Sequence, residues 1–451
     1  MTPAWVLLDR FVDFCFEEEV DEAAAAVAAA AVKNKGAAPT LQSVREQRIA
    51  LLGSLKPDTL FPPPPRIATF RLRCPKSHRD VNARLACRSL VACADKSLVV
   101  LYGGRYSGAG SSGPGCYLIY DTAATGDSNS ILSTVPPLPM FNLTCIGYGA
   151  VVLRRHSPRA DATTSSYLLA ELAATPRRGL PDAELYLWWS DAPTAQWAKK
   201  AVRLPREVSR EPGKHLFSID ASFSFGTSSL CWVDLLLGIV VCADPGQQDP
   251  HFRFIPLPKG CPAVGTSEKP DRPRMHEFRH VGCVGGVIKL VATEGLLEGW
   301  DFHKFGLVTW TLSTDLSEWK KDAVFPLKDL WASDEYLSLK LPQHTPVCPV
   351  LSARDDGVVY AIVNHVERHN IVKGSEVVQT KVEIKGQCVL ELDMQRNKII
   401  STSFSHPPSL AHLIPTLLAT DFTAYLQGAK DRQREVEASE FGESGKRMKV
   451  D

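Results

Sequence analysis

Two short apolar runs, Leu230–Val233 and Ile239–Cys242, flank Asp234 and Gly238, and this spacing constrains the fold more than any other stretch. An Asp bonds the amides of its own loop, and a Gly supplies the positive φ that a four- or five-residue hairpin loop needs. The second run stops at Asp244-Pro245-Gly246, a turn signal. His251–Pro258 then alternates long side chains and ends at prolines, so three antiparallel strands are expected in a row. In this reading Trp232 packs between sheets, Asp234 locks the turn, Gly238 takes the positive φ, and Asp244 opens the second turn. None of the four is a catalytic candidate.

Short strands recur along the chain. They are expected at Ser97–Tyr102, Tyr117–Asp121, Gly149–Arg154, Tyr167–Glu171, Leu185–Ser190, Val287–Thr293, Gly306–Leu312, Val347–Ser352, Gly357–Val363, Cys388–Asp393 and Lys398–Phe404. Two units match closely: LYLWWSDAPTAQWAKK and LVTWTLSTDLSEWKK each carry a strand, a turn around Asp191 or Asp315, then Trp197 or Trp319 and a Lys-Lys pair. Trp188, Trp189 and Trp310 fall at related positions, and packing between blades accounts for them better than a ligand cage does. Radial repetition of small antiparallel sheets builds a propeller. The expected fold is therefore all-β, a β-propeller-like repeat of about five or six blades with helical additions at both ends. Tandem β-sandwiches are the alternative.

Four segments are expected. Residues 1–65 hold an N-terminal strand, an Ala-rich insertion and the linker Phe61-Pro62-Pro63-Pro64-Pro65. Residues 66–405 form the β body, 406–428 a C-terminal helix, and 429–451 a polar, disordered tail.

The charge balance excludes several partners. Lys+Arg number 51 against 50 Asp+Glu in 451 residues, a net charge of +1, so no basic footprint for nucleic acid or a membrane surface is present. No run of about 18 apolar residues occurs. The apolar start Ala4–Leu8 is too short for a signal peptide, so cytoplasm or nucleus is expected. The 12 cysteines then read as reduced, mostly buried thiols. Cys231 and Cys242, one on each hairpin strand, are near enough in the pattern to approach one another.

Tempting motifs lack their structural context. His276-Glu277-Phe278-Arg279-His280 fits H-E-x-x-H, but prolines precede it and a strand-like run follows; on a strand the histidines stand roughly 13 Å apart. Gly108–Gly113 fits G-x-G-x-x-G, yet Pro114-Gly115 leads into another strand where a dinucleotide site needs a helix. No C-x-x-C and no nucleophile elbow occurs. No cofactor and no metal is expected.

Several residues together resemble a known family. They are Trp5–Arg10, the PPPR after Phe61, Trp232-Val233-Asp234 with Gly238 and Asp244, Arg279-His280-Val281-Gly282, Trp310, Trp319, and Leu351–Tyr360. The chain resembles a grass-expanded plant family defined by the domain of unknown function 1618. The resemblance is strongest between about 230 and 365. It implies a layout similar to the kelch-like propellers that accompany F-box motifs, but no leucine-rich F-box segment precedes the β region here. The function expected is a non-enzymatic protein-interaction scaffold with unknown protein partners. An enzyme with its site at the propeller channel, and a ubiquitin-ligase substrate receptor without a recognisable F-box, are the alternatives.

Overall fold

A computed structural model describes residues 2–17, 55–58, 60–75, 89–103, 116–123, 132–136, 138–139, 149–155, 166–174, 183–208, 217–259, 261, 274–294, 305–373, 376–407 and 409–426. The Ala-rich insertion, the Gly108–Gly113 motif and the polar tail lie outside them.

The chain divides into two compact units, one of Met1–Pro62, Ala68–Arg203 and Thr420–Asp451, the other of Pro63–Ile67 and Leu204–Ala419. The first unit holds two sheets. Its larger sheet runs, in spatial order, Lys56–Pro57 (β2), Ile67–Pro75 (β3), Val6–Glu17 (β1), Leu90–Asp95 (β4), Leu98–Gly103 (β5), Cys116–Asp121 (β6) and Leu132–Val135 (β7). Its second sheet is the meander Ala150–Arg155 (β8), Ser166–Ala174 (β9), Ala183–Trp189 (β10) and Ala198–Val202 (β11). Strand β4, inside the larger sheet, neighbours β8, the first strand of the second. Within residues 1–65, the N-terminal strand β1 pairs with β4 at Phe11 and Leu90.

The second unit holds three meanders. They are Ala221–Phe225 (β12), Ser229–Asp234 (β13), Gly238–Ala243 (β14) and His251–Pro256 (β15); Arg279–Val284 (β16), Val287–Glu294 (β17), Gly306–Leu312 (β18) and Trp319–Pro326 (β19); and Val347–Leu351 (β20), Val358–Lys373 (β21), Glu376–Asp393 (β22) and Lys398–Ser405 (β23). Here the first strands neighbour one another, β12 beside β16 and β16 beside β20. Four strands in simple chain order are the blade pattern of a propeller, whereas a β-sandwich swaps strands between two sheets. The described chain is all-β with propeller-like sheets.

Burial explains why so many of these strands read as unbroken apolar runs. A strand alternates its side chains between two faces, so a strand covered on both faces needs hydrophobes at every position. In β17, Leu290 and Ala292 join Cys231, Val233 and Ile255 in a core with the β12–β15 sheet. Val291, on the other face, joins Val359, Ala361 and Leu390 of the β20–β23 sheet. Each such side chain fully buried contributes about 1.5–3 kcal/mol of transfer free energy. In the first unit, Val100, Tyr117 and Ile119 meet Val152, Leu169 and Tyr186 in the same way.

Two short helices, Leu327–Ala332 (α1) and Asp334–Ser338 (α2), seal the core between the last two sheets with Leu327, Leu330, Trp331 and Tyr336. The Ser333 hydroxyl starts α2 by accepting the Tyr336 amide at 3.2 Å. Where a C-terminal helix is expected over 406–428, the described residues hold a 3-10 turn at Leu410–His412, a strand at Leu417–Thr420 and a helical stretch at 423–426. A run of four or five apolar residues carries no period that separates helix from strand, and Leu417–Thr420 buries its two ends as a strand.

Candidate functional site

The opening hairpin forms with Asp234 paired to Gly238 and Trp232 to Val240. Asp234 is fully buried. Its carboxylate accepts the amides of Leu236 at 2.8 Å, Leu237 at 3.1 Å and Ser218 at 2.8 Å. Asp220 takes the Leu235 amide at 2.7 Å, and the Arg279 guanidinium donates to the Leu235 carbonyl at 2.8 Å, so strand β16 grips the turn of the preceding sheet. Gly238 has φ +155°, and a Cβ there would lie 2.2 Å from the Ile255 carbonyl oxygen. Trp232 is fully buried against Phe252, ring centroids 6.2 Å apart. Asp244, exposed with φ +48°, donates its amide to the Ser228 carbonyl at 3.2 Å. These four residues build a rigid turn; none of them lines a cavity described below.

The declined motifs are resolved by the elements they occupy. His276 and Glu277 sit in the 3-10 turn Met275–Glu277, while His280 is already in β16, where its Nδ1 accepts the Leu351 amide at 3.4 Å. The two histidines therefore share no helix face. Cys231 stands opposite Val241 and Cys242 opposite Leu230, so the two thiols occupy successive registers and point to opposite faces of the sheet. Cys15, Cys93, Cys231, Cys261 and Cys388 are free thiols.

The two matching Trp units do the same job in each unit of the chain. Trp197 Nε1 donates to the Pro136 carbonyl at 2.8 Å, and Trp319 Nε1 donates to the Pro256 carbonyl at 2.8 Å. Each indole, at the start of an outer strand, ties that strand to the proline that ends the outer strand of the preceding sheet. Arg253 adds a second tie, donating to the carbonyls of Asp315 at 3.0 Å and Leu316 at 2.9 Å.

A polar cleft of about 280 Å³ opens between the β16–β19 and β20–β23 sheets. Lys289 projects into it from β17, 12% exposed, and bridges two carboxylates: Asp356 at 2.6 Å and Asp322 at 3.4 Å. Thr311 also hydrogen-bonds Asp322. Lys320, Lys321 and Gln395 line the mouth, with Leu351 and Val359 behind them. Lys321 is engaged by Glu294 at 3.3 Å and lies 5.7 Å from the Trp310 ring centroid. Sequence reasoning missed this site because its residues come from β17, β19 and the 352–357 turn and meet only when the sheets stack. The one local signal is the Asp that follows Lys320-Lys321.

The second feature is an arm. Strand β20 covers β21 only as far as Ile362, and β23 covers β22 only from Gln387 onward. Beyond that, among the described residues β21 and β22 pair solely with each other, from His365 and Gly386 to Lys373 and Glu376. A bulge at His365/Val366 and Gly386, at φ +159°, mark the arm's root. Glu367 and Glu383 stand directly opposite, a like-charge pair that costs stability unless neutralised. Lys385 neutralises it, at 3.2 Å and 2.8 Å, and His369 lies 3.5 Å and 3.4 Å from the same carboxylates. The Lys385 hydrogen bond holds the Glu383 carboxyl below its ordinary range, and the reciprocal bond raises the Lys385 ammonium. Glu367, His369 and Glu383 have their ligand atoms within 4.8 Å of one another, as a metal site would, but the Lys385 ammonium occupies both carboxylates. The cluster is a cross-strand ion-pair network.

Among the described residues no helix is long and apolar enough to cross a membrane. No curated protein sequence matches the chain. Two solved structures are similar at low levels. One is a Bombyx mori GH32 beta-fructofuranosidase mutant in complex with sucrose, with 13% identity, 71% of this chain and 62% of that one covered, and TM-score 0.28. The other is an alpha-L-arabinofuranosidase from Fusarium graminearum with an iminosugar inhibitor, with 9% identity, coverage of 70% and 64%, and TM-score 0.22. The chain spans less than two thirds of either protein's length. Residues 232–360 match the family model described as "Protein of unknown function (DUF1618)".

Proposed function

We propose that the chain is a non-enzymatic protein-interaction scaffold, working in the cytoplasm or nucleus of a plant cell, with the β21–β22 arm as its docking element. The observation that carries this reading is the arm itself. A two-stranded ribbon has marginal stability alone, and its outer edges present unpaired backbone amides and carbonyls. An incoming extended segment that adds a strand to such an edge gains main-chain hydrogen bonds, with neighbouring side chains giving selectivity. Partly exposed Val382 supplies an apolar contact on the face opposite the Glu367–Lys385 network. Both roots of the arm continue into strands whose other ends are core, which fixes its base.

The test is an arm-shortened variant in which residues 366–385 are replaced by Asn-Gly between His365 and Gly386. The full chain and the variant are cross-linked in leaf extract and the captured proteins compared. The reading requires a partner bound by the full chain and lost with the arm, with cross-links at Lys385. Identical captures from both proteins, or turnover of a small molecule by the purified chain, refute it.

A further inference from the structure

We infer that the cleft between the last two sheets binds a small monocarboxylate at Lys289, in the place that the Asp356 side chain now fills. Three observations carry this. First, Lys289 is nearly enclosed, yet one of its two carboxylates is held only loosely by the fold. Asp322 is anchored on β19 and shared with Thr311, while Asp356 sits on an exposed turn with its side chain 72% exposed. That turn is ordered without the Asp356 carboxylate: the Ser352 hydroxyl accepts the Arg354 and Asp355 amides at 3.3 Å and 3.0 Å, and Gly357 takes φ +77°. Asp356 can leave Lys289 without dismantling its own loop.

Second, the charges select a monoanion. Lys289, Lys320 and Lys321 face Asp322, Asp356 and the Glu294 that engages Lys321. With Asp356 swung out, three ammonium groups face two carboxylates, so one negative charge is accommodated and a second is not. Lys320 forms no ion pair among the described residues and is the free cation at the mouth. A dianionic phosphate would meet Asp322 within the same enclosed space, where like charges repel most strongly.

Third, the cleft is larger than a carboxylate. A volume near 280 Å³ is at the small end for ligand clefts, and Leu351 and Val359 offer an apolar wall. The ligand class is therefore a carboxylic acid with a compact aliphatic body. Asp356 acts as a tethered competitor that fills the cation site when no ligand is bound.

The experiment titrates isobutyrate, acetate and inorganic phosphate into the full-length chain at pH 7, followed by calorimetry and by the NMR shift of an isotopically labelled lysine side chain. Isobutyrate is expected to bind saturably and more tightly than acetate, with phosphate weakest. Asp356→Asn, which removes the competing charge but keeps the turn, is expected to tighten isobutyrate about tenfold. Lys320→Gln, at an exposed position, is expected to weaken it several-fold without changing the melting temperature. Absence of saturable binding to both the native chain and Asp356→Asn overturns the inference. So does phosphate binding as tightly as isobutyrate, which makes the cleft an unselective cationic patch. An unchanged affinity in Lys320→Gln overturns it as well.

Discussion

Replacing Gly238 by alanine tests the hairpin at its tightest point. The added Cβ would lie 2.2 Å from the Ile255 carbonyl oxygen and 2.7 Å and 2.8 Å from two Phe254 ring carbons. The ring can rotate away, but the carbonyl belongs to β15, whose register pairs Ile255 with Ile239 and Pro256 with Gly238. Relief therefore requires β14 and β15 to part at this end. Two costs add: backbone strain at φ +155°, about 1–3 kcal/mol, and overpacking of a fixed neighbour, about 1–3 kcal/mol. The expected loss is about 2–6 kcal/mol, a large share of a typical domain's stability. Gly226→Ala is the matched control. Gly226 also has positive φ, at +62°, but a Cβ there meets nothing within 4 Å, so only strain of about 1–2 kcal/mol applies. Urea unfolding of both variants, followed by tryptophan fluorescence, should separate them by the overpacking cost of about 1–3 kcal/mol. Equal midpoint shifts would refute the steric argument and leave φ alone as the reason for the glycine.

Asp234→Ala removes the acceptor of three backbone amides in a fully buried turn and should cost about 2–4 kcal/mol in the same assay. Trp319→Phe and Trp197→Phe each keep most of the ring and lose one indole hydrogen bond, so each should cost about 1 kcal/mol, and the two losses should be alike. Burial pushes the Cys388 thiol up to about 12 and raises Cys93 and Cys231 further. A folded-state pKa above the unfolded value gives stability fully present below the unfolded thiol value near 9 and lost as pH rises toward 12. Urea midpoints should therefore be flat from pH 7 to 8.5 and fall above it. In the native chain, thiol reagents should reach Cys15 well before these three.

What the sequence disclosed and what it concealed follow one physical line. Turn chemistry is local, so Asp234, Gly238 and Asp244 announce a hairpin that pairs residue for residue where expected. Strands buried on both faces are also legible, since Leu98–Gly103 reads LVVLYG, buried at every position with no charged or amide side chain to confuse it. The arm was not legible past Val363, because its sequence, VERHNIVK on one strand and EVVQTKVEIK on the other, mixes valines with charges and shows no clean period. Strand β12 was missed for another reason: in ASFSF Ala221, Phe223 and Phe225 share the face packed on the core and the serines take the other, but five residues is a short window for a period. The cleft was invisible for a different reason. Lys289 and Asp356 are 67 positions apart and become partners only through sheet stacking, which no local pattern records.

The arm also limits how relatives can differ. Its two strands continue those of the sheet without a break in pairing, so side-chain parity at the tip is inherited from Val363 and Cys388 in the core, subject only to the bulges at its root and near its tip. Lengthening or shortening both strands by two residues keeps every remaining arm side chain on its present face. A change of one residue in each strand without a compensating bulge leaves the root untouched and turns the tip over. Lengths of this segment among proteins that share the domain should accordingly step in even increments per strand, and odd steps should coincide with an added glycine or bulge.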